Sequence, residues 1–134
     1  MEKILQYLMK NCSFLYSPNQ FRFVDSDSSE SFGNAFLVLE HKNLRLKFIK
    51  ERGQLFLDFQ PTSSNRKLDW FSIDIVMQLV TGNIEPSSQM DAAKAKFLKS
   101  NLDEIQRRFS KANLEGTLKK LRELERQRAK RLFG

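Results

Sequence analysis

The sequence predicts an α+β fold: an N-terminal helix, an antiparallel meander of about four strands, then two to four C-terminal helices. Three observations carry this. Apolar residues recur at spacings of three and four over the first sixteen positions; apolar or alternating runs separated by short polar turns fill positions 35–59; helical spacing returns from Trp70 onward. At 134 residues the chain fits a single domain, 1–134, large enough to bury one core without a disulfide or metal staple.

Glu2 to Tyr16 reads as the first helix, with Ile4, Leu5, Leu8, Met9 and Cys12 on one stripe and Ser17, Pro18 and Asn19 ending it. Phe21 and Phe23 alternate with Arg22 in a short strand, Phe21 to Val24, before the polar stretch DSDSSES at 25–31, which reads as a loop or rim. Ala35 to Leu39 is a continuous apolar run, and His41, Lys42 and Asn43 form a turn. Leu44, Leu46 and Phe48 then alternate with Arg45 and Lys47. Glu51, Arg52 and Gly53 make the next turn, glycine suiting a positive φ, and Leu55, Leu57 and Phe59 alternate with Gln54, Phe56 and Asp58. One face of this meander is therefore apolar. The other carries Arg45, Lys47, Phe56 and Asp58, in the open or under a helix; exposure of Phe56 would make it an interface candidate and burial a core one.

Pro61 to Lys67 reads as a polar break. Asp69 can cap a helix that begins near Trp70, places Ile73, Met77 and Val80 beside it, and ends at Gly82. Ser88 with Asp91 is a variant of the capping box, opening a helix with Met90, Ala93, Phe97, Leu98, Leu102, Ile105 and Phe109 at helical spacing. Ser100 or Asn101 is a point where that helix could divide. Asn113 caps a final helix, about 113–134, with Leu114, Leu118, Leu121 and Leu132 on its apolar side.

The net charge of +7 is concentrated in that last helix: Lys119 to Arg131 holds seven Lys or Arg against Glu123 and Glu125, a net of +5. Lys119, Arg122, Arg126, Arg128, Lys130 and Arg131 are candidate phosphate contacts. Against that reading, Glu115, Glu123 and Glu125 offer intrahelical pairs, and no aromatic residues interleave with the charge as stacking platforms do. A solvated or protein-binding helix is the stronger expectation. No window approaches the roughly 18 uninterrupted apolar residues of a membrane helix, and the N-terminus lacks the small-residue cleavage site of a secretory signal, so a cytosolic protein without membrane contact is expected. The single Cys12 reads as a reduced structural thiol.

Catalytic signatures are sparse. The sequence has no Gly-rich phosphate loop, HExxH, CxxC or GxSxG, so neither a cofactor nor a metal is expected. The best enzymatic pattern is Glu40-His41-Lys42 with Asp25 upstream, in the manner of Mg²⁺-dependent nucleases that combine an Asp with an E-x-K strand. E-x-K triplets arise often by chance, and this one falls at a strand end, where a solvated turn accounts for it. Glu51 and Asp58 form a second carboxylate pair, which strand alternation explains as turn and cross-strand partners. A non-enzymatic chain is the expectation. Trp70 and Phe71 divide between core and interface, Trp70 being the candidate anchor.

The segments RLKFIKERGQLFLDFQ and KLDWFSIDIVMQLVTG, covering with their flanks about Phe21 to Gly82, resemble small bacterial immunity-type proteins encoded beside polymorphic or contact-dependent toxins. The resemblance implies a protein that binds a cognate toxin in the cytosol and occludes its active site, without catalysis. Such families vary their binding surfaces, so it transfers no functional residue. The +7 charge departs from the acidic balance frequent among immunity proteins directed at nucleases. Two function classes follow: a toxin-binding inhibition module, and a nucleic-acid-binding protein using the C-terminal helix.

Overall fold

The computed structural model describes residues 1–29, 33–64 and 69–134. It has the expected α+β plan. Helix α1 (Glu2–Asn11) and a 3₁₀ turn (Ser13–Leu15) precede a meander of β1 (Arg22–Ser29), β2 (Asn34–His41), β3 (Leu44–Glu51), β4 (Gln54–Pro61) and a two-residue β5 (Phe71–Ser72). Helices α2 (Ile73–Thr81), α3 (Ala92–Arg108) and α4 (Leu114–Phe133) follow. All strand pairings are antiparallel, in the order β1-β2-β3-β4-β5.

Register explains which residues meet. Leu39, Leu46, Phe59 and Phe71 form one cross-strand row, and Leu37, Phe48 and Leu57 the next. These seven lie on the inner face, where Ile4 and Leu8 of α1, Ile73, Ile75 and Val76 of α2, and Leu98, Leu102 and Ile105 of α3 complete the core. Burying side chains of this size stabilises the fold by roughly 1.5–3 kcal/mol each. Polar ties fix the layers. Gln106 of α3 donates to the His41 carbonyl at 2.9 Å and accepts from the Asn43 N–H at 3.1 Å, and the Tyr7 hydroxyl donates to the Asp91 carbonyl at 2.8 Å.

Several boundaries differ from expectation, each for a local reason. The first helix stops at Asn11, and its buried stripe is Ile4, Leu8 and Cys12, leaving Leu5 and Met9 exposed. Strand β1 runs through Asp25 to Ser29, where a polar loop was expected. It is an edge strand with little burial, so it needs no apolar alternation. The Asp25 and Asp27 carboxylates accept from the Ser26 and Ser28 N–H groups at 2.9 and 2.8 Å, blunting the edge. Glu30 and Ser31, the end of that stretch, lie outside the described residues, as does 65–67 of the expected polar break.

The Arg52-Gly53 turn has φ of 52° and 78°, the two positive values of a type I′ hairpin. Asp69 does not cap a helix: it has φ 62°, Phe71 and Ser72 pair with β4, and α2 begins only at Ile73. A two-residue strand is too short to show a period. Gly82 ends α2 in the left-handed conformation, as expected. Asp91 rather than Ser88 caps α3, accepting from the Lys94 N–H at 2.8 Å. That helix is continuous through Ser100 and Asn101, and the Asn101 amide donates to the Phe97 carbonyl within it. Asn113 precedes α4 without capping it, its amide donating to the Arg107 carbonyl and Ser110 Oγ. Leu132, expected in the apolar stripe, is exposed.

Candidate protein-docking face

The outer face of the sheet is built from the residues alternating with the core. Three rows cross it. Asp27, Phe36, Ile49 and Phe56 form the first, and Asp25, Val38, Lys47, Asp58 and Ser72 the second. Arg22, Glu40, Arg45 and Gln60 form the third. Phe36, Ile49 and Phe56 are half-buried and belong to no part of the core, so the sheet presents an apolar strip beside a charged one.

The two expected basic residues of this face have different environments. Arg45 is buried. Its guanidinium donates to Glu40 Oε1 at 2.7 Å, Gln60 Oε1 at 2.9 Å and the Ser64 and Thr62 carbonyls at 3.1 and 3.0 Å. Arg45 therefore leaves the set of candidate partner contacts, because its donors hold the segment after β4 onto the sheet. Lys47 is half-buried, its Nζ 4.8 Å from the Phe36 ring centroid and 5.1 Å from that of Trp70. Trp70 is thus a wall of this face, and Phe56, neither core nor fully exposed, lies on its floor.

Asp58 is the register partner of Lys47, yet no carboxylate among the described residues lies within ion-pair distance of Lys47. Burial pushes the Asp58 carboxyl up to about 6; Lys47 and Arg128 oppose the rise, while Asp74 and Glu125 add to it. The side chains around Asp58 come from three other elements. Arg128 of α4 donates to Asp74 Oδ2 at 2.9 Å and Ser72 Oγ at 2.8 Å, and Ser72 Oγ donates to Asp74 Oδ1 at 2.5 Å. Sequence reasoning missed Ser72 and Asp74, although an Asp inside the apolar run IDIV is a signal for a buried charge with a partner.

Three depressions join along this face. One of about 260 Å³ is lined by Asp27, Phe36, Lys47, Ile49, Lys50 and neighbours. A second of about 240 Å³ shares Ile49 and Glu51 with it and adds Phe56, Asp58, Ser72 and Ser88. A third of about 510 Å³ shares Ser72 and Ser88 with the second and extends past Arg128 to Leu132 and Phe133. The groove thus runs from the β1–β2 edge to the C-terminal turn of α4.

The basic helix divides in two. Arg122 pairs with Asp69, Arg126 with Glu123, and Arg128 with Asp74. Lys119, Lys120, Lys130 and Arg131 are exposed, with no carboxylate among the described residues in ion-pair distance.

The enzymatic pattern meets a different geometry. Glu40 lies between Arg22 and Arg45, which engage the oxygens a metal would need. Asp25 accepts from its neighbour's backbone, and the His41 ring packs 5.4 Å from that of Phe21. Burial and then Lys42 lower the His41 pKa. Among the described residues no group of three or more His, Cys, Asp or Glu is placed to hold a metal. Cys12 is free and buried, and burial pushes its thiol up to about 12. No helix among the described residues is long and apolar enough to cross a membrane.

No protein-family model, curated protein or solved structure matches the chain. The fold and the groove define its class as an α+β domain with one sheet face in the core and one partly open. The functional reading rests on that open face.

Proposed function

We propose that the chain is a non-enzymatic protein-binding module of the immunity type, which docks a cognate bacterial toxin in the cytosol on the outer face of its sheet. The observation that carries the reading is the incompletely buried row Phe36–Ile49–Phe56, three large apolar side chains outside the core. Aromatic and aliphatic groups in a partly desolvated strip, bordered by charge, are the ingredients of an interface hot spot. The occupant is a protein domain with an acidic surface: the chain carries +7, and α4 carries four exposed cations that have no carboxylate in ion-pair distance among the described residues.

Those same four cations favour the second reading, nucleic-acid binding along α4. It is the weaker one, since Arg122, Arg126 and Arg128 spend their charge on internal carboxylates. The test is capture of the tagged chain from its host with nuclease present, followed by reconstitution of the captured protein as a purified pair. A one-to-one complex with a toxin domain, whose toxicity the chain suppresses, supports the proposal. Recovery of nucleic acid alone in a parallel capture without nuclease, lost when Lys119 to Gly134 are removed, overturns it in favour of the second reading.

A further inference from the structure

The last turns of α4 are held differently from the first. Of residues 125–133, Glu125 and Arg128 are half-buried and the others exposed; the buried residues of the helix, Thr117 and Leu121, both come earlier. Among the described residues, the tertiary hydrogen bonds of this span are those that Arg128 donates to Asp74 Oδ2 and Ser72 Oγ. Beside it lies the depression of about 510 Å³, lined from α4 by Arg128, Leu132 and Phe133 and from the segment before α3 by Ile84 and Pro86. Apolar burial fixes the first part of α4, and charge holds the last.

That charge is not balanced. The groups linked here are Asp58 of β4, Lys47 of β3, Asp69 before β5, Asp74 of α2, and Arg122, Glu125 and Arg128 of α4. Arg122 pairs with Asp69, Arg128 pairs with Asp74, and Lys47 attracts Asp58 across the strands. Glu125 is then a fourth carboxylate against three cations, so one negative charge is in excess when every group is ionised, and one proton balances it. Neighbouring charges do not remove the excess: Glu85 pairs with Lys94 and Glu123 with Arg126, while Glu51 lines a depression with Asp58 and adds to the negative side. Asp58 and Glu125 are also the carboxylates of this cluster with no cation in ion-pair distance among the described residues. Burial raises both carboxyls; for Glu125, Arg128 and Arg122 oppose the rise, and Asp74 and Asp69 add to it.

We infer that the last two turns of α4 are a proton-sensitive strap: they stay seated on the end of the sheet while Asp58 or Glu125 holds the balancing proton, and they loosen when both are ionised, widening the far end of the groove. The inference goes beyond the docking reading and does not depend on it. The sign follows from solvation. Lifting α4 returns both carboxyls toward water, so the seated state binds the proton more tightly than the loosened one, and seating weakens as pH rises through about 6.

The test follows the backbone amides of the isotopically labelled full chain by nuclear relaxation, which reads motion within the folded state. Two helical turns without tertiary ties fray. Order parameters over 126–131 should fall from a rigid value of about 0.85 at about pH 5 to below about 0.6 at about pH 7.5, while those of Leu98 to Ile105 in α3 stay rigid at both. Asp58→Asn and Glu125→Gln each remove the excess charge and should keep the segment rigid at the higher pH; Arg128→Met removes the tie and should leave it mobile at both. Order parameters over 126–131 that do not change with pH, a fall shared by α3, a pH response that survives in both carboxyl variants, or a rigid segment in Arg128→Met would each overturn the inference.

Discussion

The two faces of the sheet share every strand and differ in what their side chains do. On the inner face Leu46, Phe48, Leu57 and Phe59 have no exposed surface at all, and helices complete the packing. On the outer face the alternate residues form an apolar strip that is incompletely buried and a charged row that is only partly neutralised among the described residues. The same contrast recurs two residues apart on β3, where Arg45 is matched by four acceptors and Lys47 by two rings. Position within the pleat decides whether a residue stabilises the fold, and the presence of an internal partner decides whether a charge remains to meet another molecule.

The comparison can be broken at several points, and the core gives the largest effect. Phe59→Ala should cost about 3–5 kcal/mol in urea unfolding, against about 1 kcal/mol or less for Phe56→Ala three residues away; equal losses would erase the distinction between the faces. Next comes Arg45→Met. It leaves Glu40 without its nearest cation and the Thr62 and Ser64 carbonyls without their donor, a loss of about 2–4 kcal/mol by the same measurement.

Asp58 gives a smaller and pH-dependent effect. Its folded pKa of about 6 is raised above the ordinary 3.8, so the native state binds this proton more tightly than the unfolded chain does. The resulting stability is fully present below the unfolded value and is lost as pH rises through about 6. Asp58→Asn should therefore be more stable than the parent at pH 7 by about 1–3 kcal/mol and should flatten the profile over that window. A variant whose profile keeps the parent's slope would show that Asp58 is not the group responsible. Smallest of all is Lys47→Met, expected to cost about 0.5–1 kcal/mol at pH 7, because it removes two ring contacts and the cation that lowers the Asp58 carboxyl, though no ion pair at contact distance among the described residues.

Much of the architecture was legible in the residues, because periodicity is a local record of burial. The alternation of Leu44, Leu46 and Phe48 with Arg45 and Lys47 assigned both faces of β3, and Gly53 placed the hairpin. What was not legible had no period to read. β5 is two residues long, and β1 continues through DSDSS because an exposed edge strand makes no demand for apolar alternation. The site was legible in outline: Lys47, Phe56 and Asp58 fall on the outer face as alternation requires. Arg45 shares that face, yet its role is set by Thr62 and Ser64, whose approach no spacing in β3 records. Ser72, Asp74 and Arg128 meet only because α4 returns past the end of the sheet, fifty-odd residues later in the chain.

The outer face as a binding surface is tested most directly by one variant with two readouts, Ile49→Asp, measured for thermal unfolding and for affinity toward the captured partner. The expected result is a midpoint within about 4 °C of the parent together with an affinity at least about a hundredfold weaker, since a carboxylate would stand in the middle of the apolar row. A folded Ile49→Asp chain that binds its partner as tightly as the parent would contradict the account.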